Sequence, residues 1–418
     1  MDFDFITLEN GLRVIGVPMP MFKTAAVGLW VDSGSVFETA ENSGVSHFIE
    51  HMLFKGTATR SARRIAEEMD AVGGLLNAFT DRENTCFYTK VVDKHLPLAM
   101  DMIADLVLNS VFDEGDIARE KGVVLEEINM SEDTPDDLVF ELLTQAHYGV
   151  QCVSRPVLGS EETVSALTRE AILSYKNRRY RPEGCVLSVA GRYDWNAVVD
   201  QTRRLYGAWK NTGLPLRIVE TLPYKPEILR REKDIEQVHI CLGYNAPSAN
   251  SPEQYPFSIL NTVLGSSMSS RLFQSIREEK GLAYSVYSSV SATESSGLFS
   301  IYAGTGPETA EEVVRLINAE VAKLKSGITE QEFIKAREQT LSSIIMAGES
   351  VNGRMQSAGR RMLMHGNTLT PDELTARIEA ITPEEVNALA ADLTVSPKSA
   401  ALVGPHTDKI RDSVITGV

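Results

Sequence analysis

The chain has little of what marks several common classes of protein. Its four cysteines, Cys86, Cys152, Cys185 and Cys241, are scattered, with no C-x-x-C pair and no framework spacing. That argues against a disulfide-stapled fold and against a cysteine-ligated metal, and leaves thiols expected to be reduced and mostly buried. No apolar run approaches the roughly 20 residues needed to cross a bilayer, so no membrane partner is expected. The opening Met1-Asp-Phe-Asp-Phe-Ile lacks the basic start of a secretory signal and the Arg-rich, acid-poor character of a transit peptide. The expected setting is the bacterial cytoplasm, with the mitochondrial matrix as the alternative for a mature organellar chain. Positive charge is scarce too: 41 Lys and Arg face 57 Asp and Glu, a net charge of −16. Such a surface repels phosphates and argues against nucleic acid as a partner. Where some of that acid lines a cavity it favours positively charged peptides; elsewhere it serves solubility.

What is present reads as a globular α+β protein. At 418 residues with 43% hydrophobic and 23% charged side chains, the chain is too long for one ordinary core and is expected to form at least two domains. The proline-punctuated stretch from Thr212 to Pro226 has no sustained period, which places a linker at 214–227 between a domain of residues 1–213 and one of residues 228–418. Each half opens with strands, passes through two helices, returns to a hairpin and ends in long helices. Asn10-Gly11 between two apolar runs signals a hairpin, and residues 26–31, 75–80 and 86–91 are strand candidates for the same sheet.

The most informative residues are His47-Phe-Ile-Glu50-His51. A helix advances about 100° per residue, so His51 projects roughly 40° from His47 and Glu50 roughly 60° to the other side. Two imidazoles that can ligate zinc therefore share one turn with a carboxylate placed to take a proton from water. The alternative is an amphipathic helix carrying two surface histidines. The order H-x-x-E-H inverts the commoner H-E-x-x-H.

A catalytic zinc takes three protein ligands and keeps one position open. The stretch from Glu114 to Met130 offers the third, with Ile117, Val124, Leu125 and Ile128 giving it a helical period. Glu120 and Glu127 lie two turns apart, within about 20° of one direction, whereas Glu126 points away. Glu127 is therefore the preferred ligand and Glu120 an auxiliary carboxylate, with Glu126 ranked below. Without the histidines, this stretch reads as a solvated acidic face.

The halves also read as diverged copies. Residues 106–120 can be laid over 324–336, and His51-Met-Leu-Phe over Ser270-Arg-Leu-Phe. The second copy then carries Ser266, Ser270, Ala336 and Ser343 where the first has His47, His51, Glu120 and Glu127, so it lacks the metal ligands.

Together with Gly73-Gly-Leu-Leu-Asn77-Ala78-Phe-Thr80, these residues resemble the pitrilysin/insulinase family of inverted-zincin metallopeptidases over essentially the whole chain. In length and layout the closest likeness is to its short branch, which includes the beta subunit of mitochondrial processing peptidase and bacterial homologues. The resemblance implies two homologous domains, each an antiparallel-rich sheet covered by helices, forming half of a clam-shell chamber. It implies one zinc per chain held by His47, His51 and Glu127, Glu50 as general base and Glu120 as auxiliary glutamate. Manganese or cobalt suits the same donors. It further implies that Arg277 and Tyr284 bind substrate carbonyls and stabilise the oxyanion, and that the strand at Asn77 and Ala78 pairs with an extended peptide. Taken bare, Arg277 and Tyr284 are ordinary residues of a helix end and a strand, and Gly73-Gly74 a turn.

The activity so implied is zinc-dependent endopeptidase cleavage of peptides or unfolded segments by a homodimer, with Arg277 and Tyr284 acting in trans. The alternatives are a partner-dependent presequence-processing subunit and a non-catalytic scaffold subunit. One departure is the run Val150-Gln-Cys-Val-Ser-Arg155-Pro after His147, where relatives carry a shorter segment.

Overall fold

The computed structural model describes residues 3–213 and 223–417, so most of the linker expected at 214–227 lies outside the described residues. Six strands form the first sheet: β1 (Asp4–Thr7), β2 (Arg13–Pro18), β3 (Thr24–Val31), β4 (Leu75–Thr80), β5 (Thr85–Val92) and β6 (Cys185–Gly191). Their order is β1-β2-β6-β3-β5-β4, with β2 and β6 parallel and every other pair antiparallel. The second sheet comprises β7 (Ile228–Glu232), β8 (Val238–Asn245), β9 (Ala283–Ala292), β10 (Gly297–Thr305) and β11 (Ser399–Gly404), in the order β7-β11-β8-β10-β9. There β7 and β11 are the parallel pair. Apart from β1, the two sheets have one topology: β2, β6, β3, β5 and β4 correspond in turn to β7, β11, β8, β10 and β9. This mixed α+β architecture is that of a duplicated domain.

The hairpin of β1 and β2 forms, but not with a two-residue turn. The type I′ turn that Asn-Gly favours needs positive φ at both central residues; of the two only Gly11 has it, at 93°. Instead the Gly11 N–H donates to the Leu8 carbonyl at 2.9 Å and the Leu8 N–H to the Leu12 carbonyl at 2.8 Å, closing a three-residue loop, while the Asn10 amide donates to the carbonyls of Tyr206 and Trp209 at 2.8 and 3.0 Å.

The helices explain why β3 and β6 are buried on both faces. Helices α1 (Val45–Leu53), α2 (Ala62–Asp70), α3 (Leu96–Asn109) and α4 (Glu114–Asp133) belong to the first half of the chain. On one face of the first sheet Leu29, Phe87 and Leu187 meet Phe48 and Ile49 of α1 and Ile103 of α3. On the other, Ile15, Trp30 and Val186 meet Met355 and Met362 of the helix Val351–His365. That helix lies close because Gly359 carries no side chain; a Cβ there would stand 2.2 Å from Trp30 Nε1.

The compact units are therefore not the two consecutive segments expected. One unit gathers residues 1–128, 155–218 and 345–371 and the other 129–154, 219–344 and 372–418. Helix α5 (Pro135–Tyr148), from the first half of the sequence, packs on β8 and β11 of the second sheet. The helix Val351–His365, from the second half, packs on the first. Each sheet thus receives its second cover from the other half of the chain. Among the described residues no helix is long and apolar enough to cross a membrane, and all four cysteines are free.

Candidate metal centre

Helix α1 is held from both ends of its sequence logic. Val45, Phe48, Ile49, Met52 and Leu53 sink into the core, which fixes the helix's rotation. At its start Gly44 adopts φ 91° and the buried Glu38 carboxylate accepts the N–H groups of Gly44 and Ser46 at 2.7 and 2.8 Å. A carboxylate at a helix N-terminus meets unpaired donors and the positive end of the dipole. Burial nonetheless raises the Glu38 pKa.

The remaining face of α1 presents His47, Glu50 and His51 toward α4. The Nε2 atoms of His47 and His51 stand 3.2 Å apart, and Glu127 Oε2 lies 3.7 Å from the first and 3.5 Å from the second. Among the described residues this is the one group of three His, Cys, Asp or Glu able to hold a metal ion. Atoms bound to one tetrahedral zinc at about 2.0–2.1 Å stand roughly 3.3–3.4 Å from each other. The observed separations suit that geometry, and the donor set, two imidazoles and a carboxylate, suits the ion.

The hydrogen bond behind His51 and the neutral state of His47 point the same way. His51 Nδ1 is 2.9 Å from Glu120 Oε1, a contact that keeps the proton on Nδ1 and turns the Nε2 lone pair inward. Glu120 is almost wholly buried and is bound on its other oxygen by Lys55 Nζ at 2.7 Å. Burial and the neighbouring His51 push the His47 pKa down to about 4, against the pull of Glu127, leaving a neutral imidazole. Burial opposes charge on His51 as well, but Glu127 and Glu120 outweigh it and raise its pKa. Its hydrogen bond with His51 keeps the Glu127 carboxyl below its usual range. His47 Nδ1 is buried with no hydrogen-bond partner among the described residues.

Glu50 stands beside this cluster without joining it. Burial raises its pKa, partly countered by the hydroxyl of Thr80, which donates to Oε2 at 2.5 Å. Glu126 is exposed on α4 and is not part of the group. Reading the sequence gave no role to Lys55, Glu38 or the Thr80 side chain. Each acts through a contact between residues whose spacing carries no period.

Asn77 and Ala78 lie on β4, which among the described residues pairs with β5 alone and leaves its outer edge open. Asn77 is exposed. In the other unit, Arg277 sits in a π-helical stretch, Phe273–Glu278, and Tyr284 is the second residue of β9, after Gly281 turns the chain at φ 63°. The guanidinium lies between two rings, 4.7 Å from the centroid of Phe273 and 4.8 Å from that of Tyr284. Arg277 and Tyr284 are thus brought together, and Tyr284 is 77% exposed. Phe273 is a further residue the sequence did not single out.

Residues 13–161 match the family described as insulinase (peptidase family M16), and residues 166–340 match the peptidase M16 inactive domain. The chain is 41% identical over 400 residues to an uncharacterized zinc protease of Bacillus subtilis, YmxG, covering 96% of this chain and 97% of that one. It is 40% identical over 409 residues to an uncharacterized zinc protease of Mycobacterium tuberculosis, covering 96% and 93%. Among solved structures, a protease from Helicobacter pylori superimposes with a TM-score of 0.88 at 20% identity, covering 97% of this chain and 99% of that one. A peptidase M16 inactive domain from Pseudomonas fluorescens gives 0.89 at 19% identity, covering 97% and 98%.

Proposed function

The chain belongs to the insulinase family of zinc metallopeptidases, peptidase family M16, and from that premise we propose that it is an endopeptidase acting on extended peptides or unfolded segments. The observation that carries this reading is the convergence of His47 Nε2, His51 Nε2 and Glu127 Oε2 within 3.2–3.7 Å, with Glu50 on the same helical turn. In it His47, His51 and Glu127 hold the zinc, one per chain. When bound, zinc supplies Lewis-acid polarisation of the scissile carbonyl and makes water acidic near neutral pH.

The chain's own residues do the rest. Water adds to the carbonyl carbon while Glu50 takes its proton, and Glu50 returns that proton to the amide nitrogen as the C–N bond breaks. Burial raises the pKa of Glu50, which makes it a stronger base than an exposed carboxylate. Tyr284 and Arg277 donate to the oxygen on which negative charge develops and to a neighbouring carbonyl. The open edge of β4 at Asn77 and Ala78 accepts the substrate backbone as an added strand, which gives affinity with little demand on sequence. In this reading the active unit is a homodimer enclosing a chamber, with Arg277 and Tyr284 of one protomer serving the zinc of its partner. The bacterial relatives support a bacterial setting.

The test is direct. The purified chain, loaded with zinc and without any partner, is incubated with a mixture of unstructured peptides, and the products are read by mass spectrometry beside a Glu50→Gln control. Cleavage abolished by the substitution and by a chelator is expected. Intact peptides after incubation with a folded, zinc-loaded protein would overturn the reading.

A further inference from the structure

Glu50 poses a positional problem. It shares one turn of α1 with His47 and His51, and a carboxylate left free to rotate beside a divalent cation is itself a ligand. To act as a base it must stand close to the metal without binding it. Among the described residues its carboxylate has one hydrogen-bond partner, the Thr80 hydroxyl at 2.5 Å.

The direction of that bond is fixed from behind. Thr85, fully buried, donates to the Ser33 carbonyl at 2.9 Å and stands 3.2 Å from Thr80 Oγ1. A hydroxyl has one proton and an ionised carboxylate only accepts. With the Thr85 proton given to Ser33, the proton of Thr80 goes to Glu50. Thr80 and Thr85 are also the closing pair of the β4–β5 ladder, so the hydroxyl is carried on a registered backbone rather than on a loop.

We propose that Thr80 is a positioning residue that holds Glu50 outside the metal's coordination, so that the strand with the open edge also aims the base. This rests on the zinc peptidase reading for its consequence in turnover, though not for its geometry.

The experiment compares Thr80→Val, Thr80→Ala and Thr80→Ser with the parent in the full chain. Zinc content, kcat and KM for an unstructured peptide, and the visible spectrum of the Co2+-substituted protein are measured. Loss of the hydroxyl in Val or Ala is expected to lower kcat about tenfold or more, the usual effect of removing a group that orients a metal-site residue. Zinc content and KM stay near parental, and the cobalt band weakens as Glu50 enters the coordination sphere. Thr80→Ser restores both kcat and the spectrum. The Ala variant decides the matter where Val does not fold. Parental kcat together with an unchanged cobalt spectrum in the hydroxyl-free variants overturns the proposal. If the parent itself cleaves nothing, the peptidase reading fails separately, and the cobalt spectrum still reports whether Thr80 holds Glu50.

Discussion

Glu120 joins His51 to Lys55: one carboxylate oxygen lies 2.9 Å from the imidazole Nδ1 and the other 2.7 Å from the ammonium. The carboxylate is almost wholly buried, so both partners are needed to keep its charge satisfied. Its effect on the proposed metal centre is indirect. By fixing the tautomer and rotation of His51 it aims Nε2 at the point where His47 and Glu127 also converge.

Removing that carboxylate should therefore loosen the metal rather than abolish the site. Glu120→Ala is expected to weaken zinc retention by about 10- to 100-fold, and Glu120→Gln, which still accepts from Nδ1, by less. Competition with a chromophoric chelator measures both. Parental zinc affinity in the Ala variant would show that His51 is oriented by packing alone.

Glu126 and Glu127 allow a sharper comparison because they are chain neighbours of identical chemistry. Glu127 Oε2 lies 3.5 Å from His51 Nε2, while Glu126 is exposed. Glu127→Gln is expected to lose zinc on dialysis and Glu126→Gln to keep it, with metal content read by atomic emission. The reverse result would put α4 in a different register.

How much of this was legible in the sequence depended on the range of the interaction. His47, Glu50 and His51 lie within one helical turn, so spacing alone fixes their common direction, and the two-turn spacing of Glu120 and Glu127 on α4 likewise distinguishes Glu127 from Glu126. Strands β3, β4 and β5 were legible from their apolar and β-branched runs. The exchange of covering helices was not. Leu138, Val139, Leu142, Leu143 and Ala146 give α5 an apolar face, but either sheet offers apolar surface to receive it, and the pattern does not say which. The bonds from Thr80 to Glu50, Lys55 to Glu120 and Glu38 to the start of α1 join different elements or lie outside a helical repeat, so no periodicity announces them. The Asn10-Gly11 signal located the hairpin, but the bonds of the Asn10 side chain to the Tyr206 and Trp209 carbonyls were not legible, because they join residues about 200 apart in the chain.

His147 makes stability depend on pH. It is fully buried on α5, bonded through Nδ1 to Ser399 Oγ at 3.0 Å and stacked on Tyr224 at 4.9 Å. Burial pushes its pKa from 6.5 down to about 4. Below pH 6.5 the unfolded chain takes up a proton that the folded chain refuses, so stability falls as pH is lowered and levels off near pH 4. The loss approaches about 3 kcal/mol at the lower limit, at roughly 1.4 kcal/mol per pH unit. Urea unfolding at several pH values should show a shallower slope over this window in His147→Gln than in the parent. Equal slopes would mean that His147 is protonated in the folded protein.

The trans arrangement of the proposed dimer has a quantitative signature. A Glu50→Gln chain lacks its base but keeps Tyr284, and a Tyr284→Phe chain lacks the donor but keeps Glu50. Each homodimer is then defective at both sites. In a mixed dimer, the protomer that retains Glu50 receives Tyr284 from its partner, and that one site is complete. Equal mixing makes about half of the dimers mixed, so about a quarter of the parental sites should recover activity. If Tyr284 served the zinc of its own chain, every site in the mixture would lack one group and nothing would recover. Subunit exchange, checked by fluorescence transfer between labelled chains, makes an inactive mixture decisive against action in trans.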